Sequence, residues 1–310
     1  MLTEGVIELL KPAGMSSHDC VYFLRRLTGV KKIGHTGTLD PMAMGVLPLC
    51  IGNATRLIEY LGRERKRYRC EMLLGVETDT LDIWGQVLSD RRGQFPFPEP
   101  SRLREGLESF IGQQMQTPPG YSAIKVKGRK LYEYARKGRQ IEAEARPVEI
   151  HELSLLRFDS ETGRLLFDVE CSRGTYVRSL CRDLGDFFGC GGTMSFLLRT
   201  VSGPFSIETA ATLEELENQW KERLLPPDVL VRGLGRLVLK PERRAWFGNG
   251  GALREQDLLE RQEASGPEAS GETGKDLSSV YRVYEGDVFL GTARYDEEQR
   301  QFLADKVFCR

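Results

Sequence analysis

One stretch organises this 310-residue chain, Gly34-His35-Thr36-Gly37-Thr38-Leu39-Asp40-Pro41. Its glycines allow backbone conformations that are closed to other residues, and they let a ligand approach the chain closely. Pro41 lacks a backbone donor and biases Asp40 toward an extended conformation. The stretch therefore predicts a stiff, irregular loop between a helix and a strand. Such a loop would present a carboxylate where catalytic groups are often found.

Spacing alone leaves a simpler interpretation of this loop open, because most Asp-Pro pairs merely start a turn. Two other interpretations are excluded. A phosphate-binding P-loop requires Gly-Lys-Ser/Thr after its glycines, and a dinucleotide-binding fingerprint requires three glycines at other spacings. The loop contains neither pattern.

Composition limits the possible functions only weakly. The net charge is −1, so attraction to an anionic partner would have to come from local patches. Seven cysteines are scattered without a CxxC pair, which is typical of a reducing compartment. The three histidines form no cluster with zinc-ligand spacing, so we expect no metal. No apolar run approaches the roughly 18 residues of a membrane span, so we expect a cytoplasmic protein with no membrane partner.

Hydrophobic periodicity predicts alternating strands and helices. Tyr68, Cys70 and Met72 alternate with Arg69 and Glu71, which indicates a strand with one buried face. Further strands are predicted at residues 6–10, 46–51, 148–158 and 165–171, with helices at 55–61, 101–111, 175–188 and 213–224. Another helix would begin after a cap at Ser16 or Ser17.

A double proline, Pro226-Pro227, indicates a domain boundary. We expect a catalytic domain over residues 1–228 and a smaller unit over residues 229–310. The smaller unit has short apolar runs at residues 237–239, 280–284, 288–290 and 301–303, which predict strands. Residues 264–275 are rich in Gly, Ser and Glu and are predicted to be a flexible insertion.

Two basic patches could contact nucleic acid. The first covers residues 63–69, and a solvated charged turn is its alternative interpretation. The second covers residues 125–139, where Tyr132 and Tyr134 lie among the cations. Aromatic rings among cations suit unstacked bases and a phosphate backbone. An amphipathic helix that packs its tyrosines inward is the alternative for this patch.

Four motifs in order resemble the tRNA pseudouridine-55 synthases, the TruB family. They are Lys11-Pro12-Ala13-Gly14-Met15-Ser16-Ser17, the central stretch continued to Gly45-Val46-Leu47-Pro48 and Gly52-Asn53-Ala54-Thr55-Arg56, Lys66-Arg67-Tyr68, and Gly174-Thr175-Tyr176-Val177-Arg178. The resemblance covers about residues 5 to 205. It implies an α/β (α+β) fold with a mixed, largely antiparallel central sheet and flanking helices, followed by a small β-rich PUA-like RNA-binding domain.

The resemblance also implies a reaction, the conversion of uridine 55 in the tRNA T loop to pseudouridine. The glycosidic bond breaks, the base rotates and a C–C bond forms, with no cofactor. Asp40 would stabilise or trap the positive charge that develops at C1′. Arg178 would pair with Asp40 through its planar guanidinium. Tyr68 would pack against the target base, and its hydroxyl would help to remove the C5 proton.

The partner implied is the T stem-loop of tRNA, whose target base must be extruded into a pocket, and the protein is expected to be a monomer. The substrate-binding residues expected from the resemblance and the second patch are His35, Lys11, Gly37, Thr38, Tyr176, Leu198, Lys125, Lys127 and Lys130. A tRNA-binding or folding-assistance protein without catalysis is the alternative. The Asp–Arg pair argues against it, because binding alone does not need one. An Asp-nucleophile hydrolase would need a second matched carboxylate for general acid work.

Overall fold

The structure is a computed structural model that describes residues 4–61, 65–94, 96–126, 128–135, 137–138, 141, 143–264, 277 and 279–308. Lys127 and all but the first residue of the predicted insertion lie outside the described residues. The elements of the larger unit are β1 (Gly5–Lys11), α1 (Ser17–Thr28), β2 (Ile33–His35), β3 (Met44–Ile51), β4 (Lys66–Leu74), β5 (Val76–Thr78), β6 (Val87–Asp90), α2 (Pro100–Ser109), β7 (Gly112–Gln116), β8 (Lys125–Val126), β9 (Arg129–Lys130), α3 (Leu131–Ala135), β10 (Arg146–Asp159), β11 (Arg164–Cys171), α4 (Val177–Phe187), β12 (Gly192–Ser202), β13 (Phe205–Ser206) and α5 (Leu213–Gln219).

A mixed sheet forms the centre of this unit. Its strand order is β1-β3-β12-β4-β11-β10-β7, with β2 paired to β3 and β13 paired to β12. Only the short β3–β12 pairing is parallel among the described strands of this sheet. Leu24 of α1, Leu107 of α2 and Leu180 of α4 join one buried cluster with the sheet. The prediction of a mixed, largely antiparallel sheet with flanking helices is confirmed.

Local sequence signals explain where several elements begin and end. Ser16 caps α1: its hydroxyl accepts a hydrogen bond from the Asp19 backbone N–H at 3.2 Å, and the Asp19 carboxylate accepts one from the Ser16 N–H at 2.8 Å. Such a cap stabilises a helix by about 1 kcal/mol. Gly29 ends α1 with φ +74°, a conformation that glycine adopts at little cost. Along β4, Tyr68 is buried and Arg69 is exposed, as the alternation predicts.

Two helices differ from the expectation. The segment predicted as a helix at residues 55–61 is a 3₁₀ helix over Gly52–Tyr60. The helix predicted at residues 213–224 ends earlier, at Gln219. Helix ends fray and have weak sequence signals, so a difference of a few residues is common.

The C-terminal unit is built on a second sheet with strand order β15-β14-β16-β17-β18. Its elements are β14 (Gly235–Leu239), α6 (Arg244–Gly248), β15 (Leu258–Gln262), β16 (Val280–Glu285), β17 (Val288–Asp296) and β18 (Gln301–Val307). The strands predicted here are therefore present, and β15 is an addition. No described helix of the chain is long and apolar enough to cross a membrane.

The two units are docked through a shared apolar cluster. Val46 and Leu57 of the larger unit pack in one cluster with Val229, Leu230 and Val280. Polar contacts continue the interface at the same 3₁₀ helix, where the Tyr60 hydroxyl bonds to Asp305, and Lys306 lies 2.8 Å from Glu59. Because burial of apolar surface stabilises association, the C-terminal unit supports the 3₁₀ helix that follows β3.

Candidate active site

An open cleft of about 640 Å³ lies between the central loop, β4 and the start of α4. Most of the residues expected at the site line it, although they come from distant parts of the sequence. The predicted residues along its wall are His35, Gly37, Thr38, Asp40, Tyr68, Tyr176 and Arg178. Lys11, Leu198, Lys125 and Lys130 are not among the lining residues.

Hydrogen bonds from two buried side chains hold the central loop in place. The Lys11 ammonium is fully buried and donates to the carbonyls of Ala43 at 2.6 Å and Pro41 at 3.5 Å. Ser17 bonds to both the N–H and the carbonyl of Leu39, at 2.8 and 3.0 Å. Burial lowers the pKa of Lys11. Lys11 therefore positions the loop from behind, and the expectation that it contacts substrate is corrected.

Arg178 and Asp40 form an ion pair at the cleft wall. Arg178 Nε lies 2.9 Å from Asp40 Oδ2, although the N–H does not point along a hydrogen-bond direction. The two Nη atoms donate to the carbonyls of Thr80 at 2.8 Å and Tyr121 at 2.9 Å. The guanidinium is only 5% exposed, whereas the carboxylate is 35% exposed. The cation is thus fixed by backbone, and the anion remains open to the cleft.

A second carboxylate lies behind Arg178, and the sequence gave no sign of it beyond an acidic segment. Asp82 Oδ2 lies 3.8 Å from Arg178 Nη1 and is largely buried. Burial raises the pKa of Asp82, and the nearby Arg178 charge partly opposes that rise. Asp82 does not line the cleft, so it supports Arg178 and leaves Asp40 as the accessible carboxylate.

Tyr68 projects from β4 into the cleft and is 7% exposed. Burial raises the pKa of Tyr68 to about 12, against the charge and hydrogen bond of Arg199. The phenol is therefore neutral at physiological pH. Arg199 lies directly opposite Tyr68 across the β4–β12 pairing and is fully buried. We did not expect Arg199 from the sequence; its only signal is a cation that follows an apolar run.

The leucine expected at the site is displaced by one residue. Leu198 pairs with Arg69, whose side chain lies on the exposed face of the sheet. Leu197 pairs with Cys70 on the buried face and lines the cleft. Because successive side chains of a strand point to opposite faces, a shift of one residue exchanges the two faces. Leu197 therefore replaces Leu198 as the candidate contact.

His35 and Tyr176 complete the polar wall. Burial lowers the pKa of His35, so its ring is neutral. Its Nδ1 atom is buried without a hydrogen-bond partner among the described residues. The Gln116 side chain bonds to both backbone groups of Tyr176, at 2.8 and 3.1 Å. This clamp fixes Tyr176 at the start of α4, next to Arg178.

The first basic patch is compensated by carboxylates that are distant in sequence. Arg67 lies 2.8 Å from Glu170, and Arg69 binds Asp168 through two nitrogens at 2.8 Å. These arginines occupy the face of β4 opposite Tyr68. The expectation that this patch presents free positive charge is wrong for them. Lys66 is different, because it lines the cleft.

The second basic patch forms a hairpin followed by a short helix, at the rim of the cleft. Lys125 and Lys130 face each other across the β8–β9 pairing, and Tyr132 lines the cleft. Lys130 Nζ lies 5.5 Å from the centre of the Tyr132 ring. Like charges directly opposite in a hairpin are destabilising, a cost that a bound anion would relieve. The arrangement suits a phosphate backbone better than a helix with inward tyrosines.

Comparison with known proteins gives a consistent result. A family model for the N-terminal domain of TruB family pseudouridylate synthases matches residues 25–177, and one for the tRNA pseudouridylate synthase B C-terminal domain matches residues 178–239. The tRNA pseudouridine synthase B of Alkaliphilus oremlandii is 45% identical over 83% of this chain and 85% of its own length. That of Clostridioides difficile is 38% identical over 98% of this chain and 99% of its own.

Solved structures support the fold at lower identity. A chain from the structure of an H/ACA RNP bound to a substrate RNA containing 2′-deoxyuridine aligns with a TM-score of 0.72. The identity is 23%, and the alignment covers 99% of this chain and 85% of that chain. A chain of a Cbf5-Nop10-Gar1 complex aligns with a TM-score of 0.69 at 24% identity, over 99% of this chain and 84% of that chain.

Proposed function

Because the chain belongs to the TruB family of pseudouridylate synthases, we propose that it isomerises uridine 55 in the T loop of tRNA at the cleft around Asp40. It is a tRNA pseudouridine synthase, and its relatives carry that name. The observation that supports the assignment of the cleft is the 2.9 Å contact between Asp40 and Arg178 beside Tyr68. Incubating the protein with a T-arm RNA and mapping pseudouridine at single-nucleotide resolution tests the position.

The reaction conserves every atom of the nucleotide. The N1–C1′ bond breaks and a C5–C1′ bond forms, while C5 loses a proton and N1 gains one. Asp40 is the group placed to stabilise, or to trap covalently, the positive charge at C1′. Arg178 keeps the carboxylate ionised and oriented, since a guanidinium remains charged at all physiological pH values.

Tyr68 is placed to serve the proton transfer. Its ring can stack on the uracil, and its neutral hydroxyl can accept the C5 proton while it releases its own. A relay of this kind fits a phenol whose pKa is raised to about 12, because it requires no standing phenolate. His35, with a neutral ring, would contact the RNA near the position that the extruded nucleotide leaves.

Tyr68→Phe tests the role of the hydroxyl, because it keeps the ring. We expect the single-turnover rate to fall about 10²- to 10⁴-fold, the range for loss of general acid–base catalysis, with RNA still bound. Tyr68→Leu should also weaken binding, since it removes the stacking surface. Tyr22→Phe, at a tyrosine that is 58% exposed, is the matched control and should behave as the wild type. Near-normal turnover of Tyr68→Phe would limit Tyr68 to stacking.

The rim hairpin is proposed to bind T-arm phosphates through Lys125 and Lys130, together with Lys127, which lies outside the described residues. Replacing Lys125 and Lys130 with Glu should weaken RNA binding. It should also reduce the slope of log affinity against log salt by about 0.7 to 0.9 for each lost phosphate contact. Lys221→Glu, at an exposed lysine after α5, controls for the change in net charge. An unchanged slope would make the hairpin a solvated surface.

The remaining assignments concern the whole chain. We propose that residues 1–228 form the catalytic domain and that residues 229–310 form a PUA-like domain that adds RNA contacts. The described cysteines are buried and free, which supports a reducing, cytoplasmic location. A single chain supplies every residue that lines the cleft, which supports action as a monomer.

A further inference from the structure

We infer that Arg199 is a positioning residue for the proton-transfer step, which it serves by fixing the hydroxyl of Tyr68 relative to the loop that carries Asp40. The inference rests on the proposed function of the cleft. Arg199 does not line the cleft, so it acts through Tyr68 and the loop and does not contact the substrate.

The first observation is the set of acceptors around the guanidinium. Arg199 Nε donates to the Val46 carbonyl at 2.7 Å, while Nη2 and Nη1 donate to Gly37 at 3.3 Å and Thr38 at 3.5 Å. Val46 lies in β3, and the other two acceptors belong to the central loop. One side chain thus joins the strand after the loop to the loop itself.

The second observation is the direction of the contact with Tyr68. Arginine carries donors only, so in its hydrogen bond with Tyr68 the phenol oxygen must accept. One lone pair of that oxygen is then occupied from the protein side. The hydroxyl proton and the remaining lone pair must point elsewhere, and the cleft is the open direction. This leaves the phenol with one group to accept a proton and one to release, as the relay requires.

The third observation is that the backbone of Arg199 is held rigidly. Arg199 pairs with Tyr68 on one side of β12 and with Gly45 of β3 on the other. A side chain at position 45 would place its Cβ 2.2 Å from the Arg199 carbonyl oxygen, so only glycine permits this approach. Gly45 also has φ +113°, which disfavours any other residue. Arg199 is therefore set between the strands that carry both catalytic candidates.

The charge of Arg199 also has a favourable sign for the relay. It opposes the effect of burial on the pKa of Tyr68, so it eases release of the hydroxyl proton. Lysine would keep the charge but not the geometry. Its single ammonium cannot reproduce a planar fork that reaches Val46, the loop and Tyr68 together.

The test is single-turnover conversion of T-arm RNA whose target uridine carries either hydrogen or deuterium at C5. We compare Arg199→Lys and Arg199→Gln with Lys11→Met. The control at Lys11 removes another buried brace of the same loop that has no contact with Tyr68. Circular dichroism and RNA binding establish that each variant is folded.

We expect Arg199→Lys to lose about 10²-fold or more in rate, the lower range for a proton-transfer contribution. Its C5 deuterium isotope effect should exceed those of the wild type and of Lys11→Met, because the proton step becomes slower relative to the others. If Arg199 only braces the loop, the slowed Arg199 variants will show the same isotope effect as Lys11→Met. That result, or a wild-type rate in a folded Arg199 variant, overturns the inference. Absence of conversion by the wild type would instead overturn the proposed site of action.

Discussion

Asp40→Asn should abolish pseudouridine formation while RNA binding stays within a few fold of the wild type. The change is nearly isosteric and removes only the charge. Asp40 Oδ2 is the anion held 2.9 Å from Arg178 Nε, and the carboxylate is 35% exposed toward the cleft. A neutral amide can neither stabilise nor trap a cationic C1′. We expect a loss of at least about 10³-fold, as for removal of a central electrostatic group.

Single-turnover assays at saturating RNA measure this loss separately from binding. Asp287→Asn is the matched control, because the same chemical change occurs at a fully exposed carboxylate in the C-terminal unit. It should leave turnover unchanged. Substantial turnover of Asp40→Asn would remove Asp40 from the reaction and favour a role in binding alone.

The sequence identified those parts of the site that short motifs encode. Asp40 and Arg178 lie in separate motifs, and the structure brings their charged groups into contact. The strand of Tyr68 was predictable because its apolar residues alternate with charged ones, a period of two that only a strand places on one face. Ser16 was predictable because a capping residue acts within one helical turn.

The failures share a different physical cause, which is partners that lie far away in sequence. Arg69 is compensated by Asp168, which no local pattern connects to it. Arg199 acquires a role only when β12 is placed between β3 and β4. Leu198 was chosen without knowledge of the strand register, which decides the face a residue occupies. Long-range pairing, and not composition, sets each of these outcomes.

Arg178 should be intolerant even of lysine. Its guanidinium contacts Asp40 through Nε and donates through the other two nitrogens to the Thr80 and Tyr121 carbonyls. A lysine ammonium lacks this fixed planar geometry, so the carbonyls or the carboxylate lose their partner. We expect Arg178→Lys to lose about 10²- to 10³-fold in single-turnover rate, the range for a broken buried charge pair. Arg182→Lys, one turn along α4 and outside the cleft lining, is the control and should retain activity.

Arg178→Met should add a pH-dependent loss of stability whose sign follows from Asp82. Burial raises the pKa of Asp82 in the folded protein above its unfolded value, and Arg178 opposes that rise. The folded state then binds more protons than the unfolded state between the two pKa values, so stability falls as pH rises through that window. Without the cation, the folded pKa of Asp82 rises further and the window extends to higher pH. The melting temperature of Arg178→Met should therefore be closest to that of the wild type near about pH 4 and fall further below it toward about pH 8. A difference that is constant with pH would mean that Arg178 does not compensate Asp82, and that the two carboxylates do not share this cation.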